Sequence, residues 1–268
     1  MKPPFLRRGC SYRLLGLVPT VGLTLAASRV AAQGDFHWKG KIAAGKTIEI
    51  KGINGDIDAV AGSGDVEVTG VKSAHRSDPD EVKIEVVPWE DGVTICAVYP
   101  SDGRRENTCE PGEHDHTSTR NNDVRVDFTV RVPEGVRFRG ATVNGKVDAA
   151  NLSSDVDATT VNGSIRISTT GYAEARTVNG SIVASMGKAT WTDALDFATV
   201  NGGITLDLPA NLSTEVRATT VNGEIDTDFP LTITGKFGPR RLNGTIGSGG
   251  RRLDLSTVNG SIKLRKAG

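Results

Sequence analysis

In the second half of the chain, apolar and polar residues alternate in short runs, and the parity of the alternation flips once per unit. Val156 and Ala158 share one parity, while Val161, Ile165 and Ile167 share the other. A strand cannot change its buried face without a corner, so a bend near Thr159–Thr160 separates two short strands. The flip recurs at a tetrad, Thr-Val-Asn-Gly. Its Asn-Gly pairs are Asn144-Gly145, Asn162-Gly163, Asn179-Gly180, Asn201-Gly202, Asn222-Gly223, Asn243-Gly244 and Asn259-Gly260, at steps of 18, 17, 22, 21, 21 and 16 residues. An earlier copy stands at Asn54-Gly55 in "KGINGDIDAV". A branched apolar residue follows each glycine of the seven by two places: Val147, Ile165, Ile182, Ile204, Ile225, Ile246 and Ile262. Thr stands two places before each Asn of the seven except Asn243, where Arg241 replaces it.

Self-similarity at a period of about twenty residues marks a solenoid. Val, Ile and Thr at alternating positions, with no Leu-x-x-Leu-x-Leu frame, make it a solenoid of strands. Asn-Gly also suits tight hairpin turns, but a hairpin does not require one unit to resemble the next. The repeat therefore predicts an all-β, parallel β-solenoid (β-helix-like) with coils of 16–22 residues, each tetrad lying over its predecessor. At ~4.8 Å per rung, seven coils make a rod of roughly 30 Å. In such a stack the asparagine amides can bond along the axis, and glycine supplies the positive φ of a corner. The threonines Thr142, Thr160, Thr177, Thr199, Thr220 and Thr257 form a second row. It either fills the corner or faces outward, where it could meet glycan hydroxyls.

Ahead of the array the pattern is less regular. "TIEIKGINGDIDAVAGSGDVEVTGV" reads as an opening coil, and "EVKIEVVPWEDGVTICAVYP" as a hairpin turning near "WEDG". In "NDVRVDFTVRVPEGVRF", Val124, Val126, Phe128, Val130 and Val132 face one way, and Pro133-Glu134-Gly135 turns into the array. "SDGRRENTCEPGEHDHTSTRNN" is a long polar loop inserted between these strands. The expected organisation is thus a leader at 1–32, an N-terminal β section at 33–135 and the Val-Asn-Gly solenoid at 136–268.

The leader follows from Lys2, Arg7, Arg8 and Arg13, then the apolar run "LLGLVPTVGLTLAAS" and small residues up to Ala32. These are the parts of a secretory signal, with cleavage expected after Ala32; an uncleaved anchor is the alternative. The expected location is the periplasm, the cell surface or the medium. No later segment is apolar enough to span a bilayer. Past the leader, 27 basic residues stand against 32 acidic, and the charge is uneven. Residues 231–268 hold eight basic side chains against Asp254 alone. Within them Arg240, Arg241, Arg251, Arg252, Arg265 and Lys266 make either a solvated end or a basic contact for lipopolysaccharide or acidic lipid. Cys96 and Cys109, thirteen positions apart, read as a disulfide in an oxidising compartment, a reduced pair being the alternative.

These features resemble the bacterial putative-adhesin domain family, a domain of unknown function. The carriers are "TVRVPEGVRF", the serial "TVNGSI", "TVNGGI" and "TVNGEI" units, and the early "GINGDIDAV". The resemblance covers about residues 46–268 and implies an extracytoplasmic β-solenoid with no catalytic, cofactor or metal residues to carry over.

The expected function is a non-enzymatic, adhesin-like binding or structural module of the envelope, its partner an envelope glycan, lipopolysaccharide or acidic lipid. A β-helix polysaccharide lyase or hydrolase is the alternative, with Asp148, Asp155, Asp157 and Arg166, or Glu224, Asp226 and Asp228, as its loose candidates. A self-assembling scaffold is a further alternative, since open solenoid ends invite stacking. "EHDH" (113–116) mixes ligand types in a loop without a fixed frame. No aromatic-rich basic patch points to nucleic acid.

Overall fold

The computed structural model describes residues 35–267 apart from 102, 104–105, 113–118, 120 and 234–239. The leader expected at 1–32 and the "EHDH" segment lie outside the described residues. Gln33–Gly268 forms one compact unit, and both of its sheets run through the boundary expected at 135.

Strand β1 (Phe36–Gly40) comes first, and β2 (Thr47–Lys51) and β3 (Ile57–Gly62) form a coil with Asn54 at its corner. β4 (Val66–Ser73) runs antiparallel to β1. A 3-10 turn at Pro79–Glu81 leads into a hairpin of β5 (Lys83–Trp89) and β6 (Gly92–Val98), with Glu90-Asp91 at its tip. β7 (Arg125–Pro133) lies between β4 and β3.

Each later coil gives one strand to each of two facing sheets. The pairs are β8 (Arg137–Ala141) with β9 (Val147–Leu152), β10 (Val156–Thr159) with β11 (Ile165–Thr169), and β12 (Ala173–Arg176) with β13 (Ile182–Met186). β14 (Leu195–Ala198) with β15 (Ile204–Leu208), and β16 (Thr214–Asn222) with β17 (Ile225–Thr227), continue the series. β18 (Leu231–Ile233) pairs antiparallel with β19 (Arg241–Ile246), and β20 (Arg252–Asn259) with β21 (Ile262–Lys266) is the last coil.

The ten-stranded sheet runs β1-β4-β7-β3-β9-β11-β13-β15-β21-β17, and the eleven-stranded sheet β18-β19-β16-β20-β14-β12-β10-β8-β2-β6-β5. The alternation seen in the sequence decides what lies between them. Ile165 and Ile167 on one sheet, and Val156 and Ala158 on the other, are buried, while Arg166 points out. A coil therefore has two faces, and the core is the layer between the sheets.

Three groups act at each tetrad corner. The side-chain amide of Asn162 donates to Oδ1 of Asn144 at 2.8 Å, and Asn179 donates to Asn162 in the same way. The chain of such bonds runs Asn54, Asn144, Asn162, Asn179, Asn201, Asn259, Asn222, and these asparagines face outward except for the half-buried Asn54. The threonines face inward. Thr177 Oγ1 donates to the carbonyl of Gly163 at 2.9 Å, and Thr160, Thr199, Thr220 and Thr257 make the equivalent bond to the glycine of the adjoining rung. Buried hydroxyls must find an acceptor, so the threonine row holds the corner and is not a contact surface.

The glycines act differently from expectation. Only Gly55 among the repeat glycines has a positive φ, 134°. A Cβ on Gly180 would lie 1.9 Å from the carbonyl oxygen of Gly163, and Gly145, Gly163, Gly202, Gly223 and Gly260 are as tightly set. Glycine is needed because adjoining rungs touch there, not because the chain turns left-handed.

The stacking order also departs from expectation. β20 and β21 lie between the β14–β15 coil and the β16–β17 coil, so successive rungs do not always follow sequence. Every tetrad presents the same edge, and nothing in the repeat distinguishes one neighbour from another.

Asn243-Gly244 does not join the stack at all. It lies within β19, antiparallel to β16, with Asn243 opposite Arg217. Leu242, Gly244 and Ile246 are buried on one face, so this copy lacks the parity flip that forces a corner. A Cβ on Gly244 would come no nearer than 3.2 Å to the Thr232 carbonyl.

Candidate functional site

On β2, Ile48 and Ile50 enter the core, which turns Glu49 and Lys51 to the outer face of the eleven-stranded sheet. On most of this face such residues are solvated. Here both are buried, Glu49 to 1% exposure, because the loop after β6 folds across them. A disulfide between Cys96 and Cys109 ties the loop down, with the Cα atoms 5.7 Å apart. Asn107 Nδ2 donates to the Tyr99 carbonyl at 2.8 Å. Tyr99 is itself buried, its hydroxyl donating to the carbonyl of Val124, and burial pushes its phenol up to about 12. Lys51 Nζ donates to the carbonyls of Glu110, at 2.7 Å, and Gly112.

Between loop and sheet lies a cavity of about 280 Å³. Its polar side chains include Glu49, Lys51, Asn107, Thr108, Arg139 and Asp157, and Ala97, Val98, Ala141 and Val143 form apolar walls. Glu49 Oε2 accepts from Thr94 Oγ1 at 2.7 Å and from the Gly112 amide at 3.1 Å. Glu49 Oε1 has no hydrogen-bond donor among the described residues. It is ion-paired with Arg139, whose Nη1 stands 3.6 Å away, while Arg139 Nε donates to Asp157 Oδ2 at 3.0 Å. The Oγ1 of Thr108 is likewise buried with no hydrogen-bond partner among the described residues. A buried carboxylate oxygen with no donor is costly, which makes this cavity the candidate site.

Parallel pairing continues the Glu49 level across the sheet, from Arg139 to Asp157 to Glu174. Glu174 Oε1 accepts from the Asp196 amide, and Asp196 is in register with Asp254. Arginines compensate this row, Arg176 bonding Asp196 at 2.8 Å and Arg252 bonding Asp254 at 2.8 Å. Desolvation first, then the carboxylates of Asp157 and Asp196, hold the half-buried Glu174 above the ordinary carboxylate range.

The carboxylates considered for glycan cleavage do not converge. Asp148 pairs with Arg166 at 3.5 Å on the ten-stranded sheet, whereas Asp155 and Asp157 belong to the other sheet, and Glu224, Asp226 and Asp228 lie at or beside β17. The six basic residues singled out in the C-terminal region are also divided. Arg251, Arg252, Arg265 and Lys266 lie where the last coil begins and ends, away from its Asn259 corner, while Arg240 and Arg241 lie at the start of β19. Among the described residues no group of three or more His, Cys, Asp or Glu is placed to hold a metal ion, and no helix is long and apolar enough to cross a membrane.

Glu49 itself was hidden in the sequence. "TIEIK" reads as a strand with a solvent-facing acid, and only the covering loop changes that.

The Toastrack DUF4097 family matches residues 55–265. No curated protein matches the chain. Among solved structures, a putative cell adhesion protein from Clostridium sporogenes ATCC 15579 is 10% identical, with 87% of this chain and 99% of that one covered and a TM-score of 0.47. A putative adhesin from Bacteroides fragilis NCTC 9343 is 12% identical, with 86% and 96% covered and a TM-score of 0.30.

Proposed function

The chain belongs to the Toastrack DUF4097 family, and from that premise we propose that it is a non-enzymatic recognition module of an exported envelope or surface protein, adhesin-like in kind. Its solenoid serves as a rigid frame, and the cavity under the disulfide-tied loop is its contact site. The observation that carries this reading is Glu49, a buried carboxylate that lines the cavity and has one oxygen without a hydrogen-bond donor among the described residues. Protein interiors rarely leave such a group unpaired unless something else completes it.

Export is supported by the basic and apolar start of the chain and by the disulfide, which persists in oxidising compartments. The basic side chains at the edge of the last coil, Arg251, Arg252, Arg265 and Lys266, suit contact with lipopolysaccharide or acidic lipid as a secondary, salt-sensitive interaction.

The test is a glycan, lipid and small-metabolite array probed with the purified protein and with a C96S/C109S variant. Binding that weakens in the variant is the expected result. Absence of binding, or turnover of a glycan that a single carboxylate substitution abolishes, would overturn the reading.

A further inference from the structure

We propose that Asn222 is a site of spontaneous covalent modification. The backbone nitrogen of Gly223 displaces its side-chain amide, and water then turns residue 222 into aspartate or isoaspartate.

The ladder at the tetrad corners has a direction. The backbone N–H of Gly55, Gly145, Gly163, Gly180, Gly202 and Gly260 donates to the asparagine carbonyl of the next rung, at 3.0–3.2 Å. In the same sense, Oδ1 of each stacked asparagine from Asn54 to Asn259 accepts from the side-chain amide of the next. Such a ladder leaves its last member unserved, and that member is Asn222-Gly223. Asn222 donates to Asn259 at 2.8 Å, but among the described residues nothing donates to its Oδ1 and the Gly223 N–H has no acceptor. β19 pairs with β16 only as far as Thr219, and the Thr220 N–H donates to the Arg240 carbonyl. Past that point the corner has no next rung among the described residues, and Asn222 is exposed with Gly223 half-buried.

Asparagine before glycine suits this chemistry, because glycine has no Cβ to hinder its nitrogen from approaching Cγ. The Gly223 nitrogen gives its proton to water or hydroxide and attacks Cγ of Asn222. The N–Cγ bond forms, the Cγ–Nδ2 bond breaks, and Nδ2 leaves as ammonia. The cyclic imide then takes up water, giving aspartate when one carbonyl is opened and isoaspartate when the other is. In a stacked rung the attacking nitrogen and Oδ1 are both held by the neighbour, so the rung must open before it can react. Asn222 lacks both restraints. Asn54, at the other end, keeps them through Asn144, and its Nδ2 also donates to the Val124 carbonyl at 3.3 Å. Gly244 lies in a strand paired on both sides, which places its amide in a ladder.

The conversion reaches the fold. A carboxylate has no N–H to give Asn259 Oδ1, so the last bond of the asparagine ladder is lost. Isoaspartate also adds a main-chain carbon just before β17.

The test incubates the purified protein in mildly alkaline buffer, natively and in urea, with circular dichroism following the fold. Time points are digested and read by tandem mass spectrometry, using electron-transfer fragmentation to tell isoaspartate from aspartate. In the native incubation Asn222 is expected to convert about tenfold or more faster than Asn162, Asn179 and Asn201, the effect of two hydrogen bonds that those rungs must break. In urea these sites are expected to convert at similar rates, which separates the fold from the local sequence. Native conversion at Asn222 no faster than at the stacked pairs overturns the proposal, and so does a lead for Asn222 that persists unchanged in urea. A mixture of isoaspartate and aspartate identifies the imide route, whereas aspartate alone means direct hydrolysis and overturns it.

Discussion

Asn259 donates its side-chain amide to Asn201 at 2.7 Å although 58 residues separate them, and Asn222 then donates to Asn259 at 2.8 Å. The last coil is thus an inner rung of the solenoid. Removing residues 252–268 takes away the parallel neighbour of β16 and β17 and uncovers Val216 and Ala218. Hydrogen exchange in such a truncated chain should show protection lost across residues 214–227 and retained across 147–186, since repeat stability is local to each interface. Uniform protection in both stretches would contradict the stacking order.

Tight rung contacts make the repeat glycines intolerant. Gly180→Ala would press a methyl against the Gly163 carbonyl at 1.9 Å and should destabilise by about 2–4 kcal/mol. Gly244→Ala, in the same Asn-Gly pair of letters but outside the stack, should cost less than about 1 kcal/mol. Chemical denaturation of the two variants checks the contrast, and similar costs would refute the assigned roles.

Glu174 gives stability a pH dependence. Its folded pKa is raised, by desolvation and then by Asp157, so its charged form is disfavoured in the native state. The group is neutral in both states below the ordinary 4.5, and its penalty appears as pH climbs through the raised folded value. Glu174→Gln can still accept from the Asp196 amide. The variant should therefore melt higher than wild type at pH 7 and match it near pH 4, a shift readable by calorimetry at the two pH values.

Reduction should act mainly on the covering loop. The Cys96–Cys109 bridge closes thirteen positions, and its loss removes about 3 kcal/mol of constraint on the unfolded chain. A C96S/C109S variant should lower the melting temperature and raise exchange at the Gly112 amide, which Glu49 now holds. Unaltered exchange there would show that the bridge does not retain the loop.

Strand parity, corner and disulfide were legible in the chain because each depends on residues close in sequence. Val156, Ala158 and Ile165 disclose a corner by their spacing alone. Rung order was not legible, because "TTVNGEI" and "STVNGSI" offer the same edge to a neighbour. The odd copy carried one signal: Arg241 in place of Thr leaves it without the inward hydroxyl, whereas the spacing of Leu242 and Ile246 is that of Val161 and Ile165 in a stacked copy. The cavity could not. Glu49 becomes a buried acid only through a loop that begins about fifty residues later, and no local pattern carries that information.

A chain delivered from its N-terminal end can lay down coil upon coil only as far as Asn201. The segment that follows meets a vacant berth meant for residues still to come, and its own Asn222 fits that berth by every local rule. In the folded protein that berth is taken instead by residues 252–268, which come later in the chain. Order of delivery and order of assembly part company at this one point.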